Sequence, residues 1–318
     1  MPTQYPKVTI VGAGNVGANA ALLLLLKEVA DVVLIDVVDG VARGKALDMM
    51  HMRSNEHFGP TIMGTGDYAE TASSDIVVVT AGIPRKPGMT REDLLETNAG
   101  IVRSVLAGAL PASPDALYLF VTNPLDVMVN LAYDLASLPP ARLFGMGGVL
   151  DTARFISAIA AETNSQPADI EALVIGAHGE AMLPLPRLAR VQGTPLSDLV
   201  DAAAIERIVQ ATVQGGAAVV DALKTGSAFY APASSIAEMV SDMLNPCGRV
   251  LSVCARLEGQ YGIEDVHMGV PAVLGRKGVE RIVELPLNTE EIAELKNSAK
   301  SIKAQLADLL QVSGSRMR

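Results

Sequence analysis

Val8-Thr9-Ile10-Val11-Gly12-Ala13-Gly14-Asn15-Val16-Gly17 decides the fold of this chain. Its first four residues are β-branched and read as a buried strand. A Gly-x-Gly-x-x-Gly spacing follows, and Val16 to Glu28 then reads as a helix. Strand, glycine turn and helix in that order are the context a dinucleotide fingerprint requires. Gly12 permits the tight turn, Gly14 lets the backbone approach a pyrophosphate, and Gly17 lets helix and strand pack closely. The phosphate charge then meets the positive end of the helix. Gly12, Ala13, Gly14, Asn15, Val16 and Gly17 are therefore expected to hold a dinucleotide.

Working outward, Val32-Val33-Leu34-Ile35 is a second strand that ends at Asp36, nineteen residues after Gly17. A carboxylate there would accept hydrogen bonds from the adenosine ribose hydroxyls and repel a 2′-phosphate, which favours NAD over NADP. A helix is expected near Val41 to Met50, strands at 76–79 and 117–121, and a helix from about Arg91 to Ala109. Continuous apolar strands separated by helices predict a parallel sheet covered on both faces. After residue 150 the rhythm changes. Long helices are expected at 151–162, 203–223, 231–244 and 290–310, with strand-like runs at 173–175, 250–254 and 282–283. The expected fold class is α/β: an N-terminal doubly wound Rossmann sheet over 1–149, then a C-terminal α+β substrate domain over 150–318.

The 318 residues have material for two domains, and 49% hydrophobic against 19% charged residues is a globular composition. A formal charge of −10 argues against nucleic acid or an anionic membrane as the partner, while leaving room for a locally positive site that takes an anion. Cys247 and Cys254 have neither the number nor the spacing of a disulfide framework, and read as reduced core thiols. The apolar run Leu22 to Leu26 is too short to span a bilayer. The N-terminus runs directly into a strand with no targeting pattern, so the cytoplasm is the expected compartment. His51, Glu56 and His57 lack metal-ligand spacing and read as loop and helix-end residues, so no metal is expected.

Four further segments place polar residues where a bland fold has no need of them. Asp151 and Arg154 are three apart and share a helix face. His178 lies in Gly176-Ala177-His178-Gly179-Glu180 after a predicted strand; Arg85 and Arg91 fall in a loop with two prolines and Gly88; Asn123 ends a strand. Singly, each has an ordinary reading as a cap, a surface ion pair or a structural histidine. Together with a nucleotide fingerprint they suggest a site.

With these residues in view the sequence resembles the lactate/malate dehydrogenase family over essentially its whole length. The likeness is carried by Gly12 to Gly17, Asp36, the Arg85–Arg91 loop, Val121-Thr122-Asn123-Pro124, Leu150 to Arg154 and Gly176 to Glu180, and is nearest to the lactate-dehydrogenase-like malate enzymes. The resemblance implies NAD as cofactor, His178 as proton acceptor and Asp151 as the residue that orients it. It also implies that Arg154 grips the substrate's C1 carboxylate and Arg91 polarises the reacting carbonyl. Asn98, Val121, Thr122 and Asn123 match cofactor contacts, and Asn123 also reaches the substrate. Arginine at Arg85, where lactate enzymes carry glutamine, implies a second carboxylate and hence malate or oxaloacetate. Gly88 and its neighbouring prolines suit a lid carrying Arg85 and Arg91. Ala228 lies near where lactate enzymes have threonine, and Glu180 replaces the family's usual aspartate. A homo-oligomer is implied, a tetramer before a dimer. Two rivals stand beside this reading: an enzyme preferring pyruvate or a related 2-oxo acid, and an NAD-binding protein without turnover.

Overall fold

The computed structural model describes residues 5–84 and 88–315, with side chains through Gln311. The first half consists of β1 (Lys7–Val11), α1 (Asn15–Leu26), β2 (Asp31–Ile35), α2 (Asp39–His51), the short α3 (Arg53–Glu56), β3 (Ile62–Thr65), β4 (Ile76–Val79), α4 (Arg91–Ala112), β5 (Leu117–Phe120), α5 (Leu125–Ala136) and β6 (Leu143–Gly145). The second half begins with α6 (Gly148–Thr163), β7 (Ile170–Glu171), β8 (Val174–Gly176), β9 (Met182–Pro184), β10 (Arg190–Val191), β11 (Thr194–Pro195) and α7 (Leu196–Leu199). It continues through α8 (Ala202–Leu223), α9 (Tyr230–Leu244), β12 (Val250–Glu258), β13 (Glu264–Gly275), β14 (Gly278–Ile282) and α10 (Thr289–Ser315). The residue-150 boundary expected from sequence falls in the first turn of α6.

Strands β3-β2-β1-β4-β5-β6 lie side by side in parallel, the doubly wound order. Their sequences are continuously apolar because both faces are covered. Val8, Ile10, Ile76, Val78, Leu117 and Leu119 pack on one side with Leu24 and Leu25 of α1. Val11, Val77, Val79, Tyr118 and Phe120 pack on the other with Val102 and Leu106 of α4 and Met128 and Leu131 of α5. The all-round apolar α1 is explained by its second partner, α9, which packs on its outer side.

The sheet does not stop at β6. It continues antiparallel through β12, β13, β8 and β9, with β14 added on β13. The join between halves is therefore hydrogen-bonded backbone. A separate small sheet of β11, β10 and β7 lies near α6 and α8, whose apolar faces meet at Phe155, Ile159 and Ile208. Leu295, Ile302 and Leu309 of α10 are buried, as the helical spacing predicts, while Ile292 and Leu306 are half-buried. No helix among the described residues is long and apolar enough to cross a membrane.

One expectation needs correcting. Cys254 is a core thiol, but Cys247 is exposed on the turn after α9, where its Sγ lies 3.7 Å from Asp242.

His267 on β13 is fully buried; its backbone N–H donates to Asn130 Oδ1 at 2.9 Å, and its carbonyl accepts from Asn130 Nδ2 at 3.0 Å. Burial first, and then the positive Arg256, pull its imidazole down to about 3. A histidine held below its unfolded value gives stability that is whole above about pH 6.5 and is lost as pH falls toward 3. From pH 7.5 to pH 5 this group alone should remove about 2 kcal/mol. Urea midpoints at the two pH values check this: His267→Gln, neutral at both, should show the shallower fall.

Candidate functional site

The glycine turn sits at the carboxyl ends of β1 and β4, against the start of α1. Gly12 has φ +107° and sits so close to Thr80 and Ala81 that an added Cβ would lie 2.8 Å from Ala81 N. A Cβ on Gly17 would meet the Gly12 carbonyl, so strand and helix touch there through bare backbone. Around Gly14 nothing lies within 4 Å of where a Cβ would be. That open ground above the first free N–H groups of α1 fits a pyrophosphate.

The peptide of Ala13 is gripped from both sides. Its N–H donates to Asp36 Oδ2 at 2.7 Å, and its carbonyl accepts from Lys45 Nζ of α2 at 2.7 Å. Asp36 Oδ1 accepts the N–H of Val38 at 3.0 Å. Each Asp36 oxygen keeps a second lone pair for a ribose hydroxyl. Asp36 lines a cavity of about 360 Å³ with Gly12, Gly14, Tyr68 and Ile83, shaped for the adenosine end of a dinucleotide.

A second cavity of about 340 Å³ begins on Gly14 to Gly17 and runs past Asn98, Val121, Thr122 and Asn123 to His178. Asn98, almost wholly buried, ties this wall together. Its Oδ1 accepts from Ile83 N at 2.9 Å, and its Nδ2 donates to the carbonyls of Ile83 and Asn123 at 3.2 and 2.7 Å. Thr122 Oγ1 donates to the Ala81 carbonyl at 2.6 Å. The Asn123-Pro124 peptide is cis. Ala228 and Phe229 close the far side.

At the inner end of this cavity, Asp151 is 1% exposed and its carboxylate is divided between two partners. Oδ2 meets His178 Nδ1 at 2.7 Å, and Oδ1 accepts from Arg154 at 3.1 Å. Burial alone would push the His178 imidazole down. The charge and hydrogen bond of Asp151, and then the charge of Asp126, raise it above its ordinary value against the opposing Arg154. Arg91, exposed at the first turn of α4, lines an adjoining cleft of about 660 Å³ that also reaches His178 and Glu180. Arg85, Lys86 and Pro87 lie outside the described residues.

Three contributors escaped the sequence reading. Lys45 gave no signal beyond being one charge on an exposed helix. Asp126, the second residue of α5, stands alone among apolar neighbours two positions after Pro124; that isolation was the available clue. The third is Gly215-Gly216 in the middle of α8. Arg154 lies across this pair: a Cβ on Gly215 would come 3.1 Å from Arg154 Cδ, and one on Gly216 would come 3.4 Å from its terminal nitrogen. Two adjacent glycines inside a helix cost about 1 kcal/mol each relative to alanine, so their placement called for an explanation. The bare backbone seats the guanidinium. With Arg154 gripping substrate as the family resemblance implies, Gly215→Ala should displace it by a few tenths of an ångström and raise the substrate KM by about three- to tenfold. NADH affinity should stay as in the parent; fluorescence titration and steady-state kinetics read the two separately.

Comparison with known proteins agrees with this geometry. The family model described as lactate/malate dehydrogenase, NAD binding domain, matches residues 6–145, and that for the lactate/malate dehydrogenase alpha/beta C-terminal domain matches 148–312. The chain is 47% identical to a malate dehydrogenase of Roseiflexus castenholzii, covering 96% of this chain and 99% of the relative. It is 50% identical to one of Nostoc punctiforme, covering 95% and 93%. Among solved structures, the malate dehydrogenase of Salinibacter ruber superposes with a TM-score of 0.93 at 42% identity, covering 98% of this chain and 100% of that one. The lactate dehydrogenase of Cryptosporidium parvum, complexed with lactic acid and the NAD cofactor, also reaches 0.93, at 37% identity and coverage of 96% and 98%. The chain belongs to the lactate/malate dehydrogenase family.

Proposed function

We propose that this chain catalyses the reversible NAD-dependent oxidation of (S)-malate to oxaloacetate. The observation that carries the reading is the continuity of the second cavity. One wall is the glycine turn, and at the other end stands His178, paired through Nδ1 with the buried Asp151 at 2.7 Å. The whole-length identity to malate dehydrogenases supports the substrate.

With Nδ1 committed to Asp151, His178 Nε2 is the nitrogen left to take the proton from the substrate hydroxyl. NAD, which Gly12 to Gly17, Asp36 and the Asn98–Asn123 wall would hold, would supply the acceptor for the hydride leaving the carbon that bears this hydroxyl. Asp151 stabilises the imidazolium that results, and in the reverse direction that imidazolium returns the proton to the carbonyl oxygen. Arg154 supplies a planar guanidinium for the C1 carboxylate, fixing which face of the substrate meets the nicotinamide. Arg91, at the head of α4, offsets charge on the carbonyl oxygen in the transition state. Asn98 and Thr122 shape the cavity wall, and Asn123 reaches substrate. Arg85, by the family resemblance, pairs with the second carboxylate. A guanidinium without that partner in a water-poor site is costly, which disfavours pyruvate. The chain works in the cytoplasm as a homo-oligomer, a tetramer before a dimer.

NADH oxidation compared with oxaloacetate and with pyruvate tests the substrate. Oxaloacetate should be preferred by orders of magnitude in kcat/KM, Arg85→Gln should narrow that gap, and a pyruvate preference would overturn the proposal. His178→Asn should lower kcat by about 10²–10⁴-fold while NADH still binds; a variant with parental turnover would remove His178 from its role.

A further inference from the structure

Asp126 is a second buried carboxylate at His178, and the proton transfer described above does not use it. It is 5% exposed, in the first turn of α5, where the preceding cis Asn123-Pro124 segment turns into the helix. Its Oδ2 accepts the backbone N–H of His178 at 2.7 Å, and its Oδ1 lies 3.3 Å from the thiol of Cys254 on β12, which donates to it. We propose that Asp126 is a positioning residue that fixes the His178 backbone against α5 and, as an anion, favours the protonated imidazole.

Holding one N–H and one thiol in place requires no charge. An amide oxygen would accept the His178 N–H, with its NH2 turned to the Cys254 sulfur, without the desolvation that a buried carboxylate suffers. What the carboxylate adds is a second negative charge beside His178, held at its backbone N–H rather than at its ring. Burial first, and last the charge of Asp151, outweigh the pull of the positive His178, its N–H and the Cys254 thiol, so that Asp126 is pushed up to about 6. It is thus an anion at neutral pH. Other groups face this cluster from every neighbouring element: Asp151 and Arg154 from α6, Cys254 from β12, Glu180 from the His178 loop, Arg91 and Glu92 from α4, and Asp308 from α10. Among the described residues, Asp151 and Asp126 are the acids that bond to His178 itself.

The inference rests on His178 as the proton acceptor. The test is the pH profile of kcat/KM in both directions for the parent and Asp126→Asn, which keeps an acceptor for the His178 N–H and removes the charge. The limb belonging to His178 should move to lower pH by roughly half a unit to one unit. Oxaloacetate reduction, which needs the proton on His178, then loses activity at pH 8. Malate oxidation, which needs it off, gains relative activity near pH 6. Profiles that superimpose, or a uniform loss of kcat without a shifted limb, overturn the inference. If Asp126→Asn no longer binds NADH, Cys254→Ala carries the test. Without the thiol donor Asp126 takes a proton more readily, so the limb should shift the same way by a smaller amount, and an unmoved limb again overturns the inference. A parent inactive toward oxaloacetate and malate removes the underlying functional reading and this inference with it; an active parent with an unmoved limb removes the inference alone.

Discussion

Everything at this site is arranged around the carboxylate of Asp151. It is buried, and its two oxygens are taken by a histidine and an arginine that arrive from different directions. A buried anion is tolerated when its charge is matched and its lone pairs are filled, and Asp151 meets both conditions with the groups the chemistry needs. Arg154 is delivered by the helix itself, one turn along α6, and lies across the glycine pair of α8. His178 is delivered by β8 through its pairing with β13. Removing the carboxylate would leave both partners facing each other with like charge whenever the histidine is protonated.

How far this could be read from sequence follows from where pattern and periodicity carry information. Strands β1, β2, β4 and β5 announced themselves because they are buried on both faces and bounded by turn residues. Helix α5 was passed over although Asp126, Asn130 and Asp134 recur at four-residue spacing; its first eight residues are buried, polar ones included. Strand β13 was hidden by Gly269 and Pro271, two residues that normally argue against a strand interior. Gly269 is explained by the Gly176 carbonyl, 2.5 Å from where its Cβ would lie. The residues brought together at Asp151 were named from local spacing and family likeness. Those acting through backbone, namely Asp126, Lys45 and Gly215-Gly216, depend on contacts between elements distant in sequence, which a linear pattern does not encode.

The same architecture superposes equally well on a malate and a lactate dehydrogenase, so substrate choice is not a property of the fold. It resides in a few side chains around a shared hydride-transfer geometry. The parallel sheet supplies the dinucleotide cradle and the antiparallel strands supply the histidine.

The seam where those two sheets meet pairs Cys254 of β12 with Gly145 of β6. A side chain on Gly145 would come 3.2 Å from the Cys254 Cβ, and the Cys254 thiol is the one that touches Asp126. One small sulfur-bearing residue thus belongs at once to the spine of the molecule and to the acid–base cluster. Sequence drift at this spot is doubly constrained. A larger residue would press on Gly145 across the seam, and one without a donor would leave Asp126 with a single partner bond. The catalytic centre and the structural midline of this protein cannot evolve independently there.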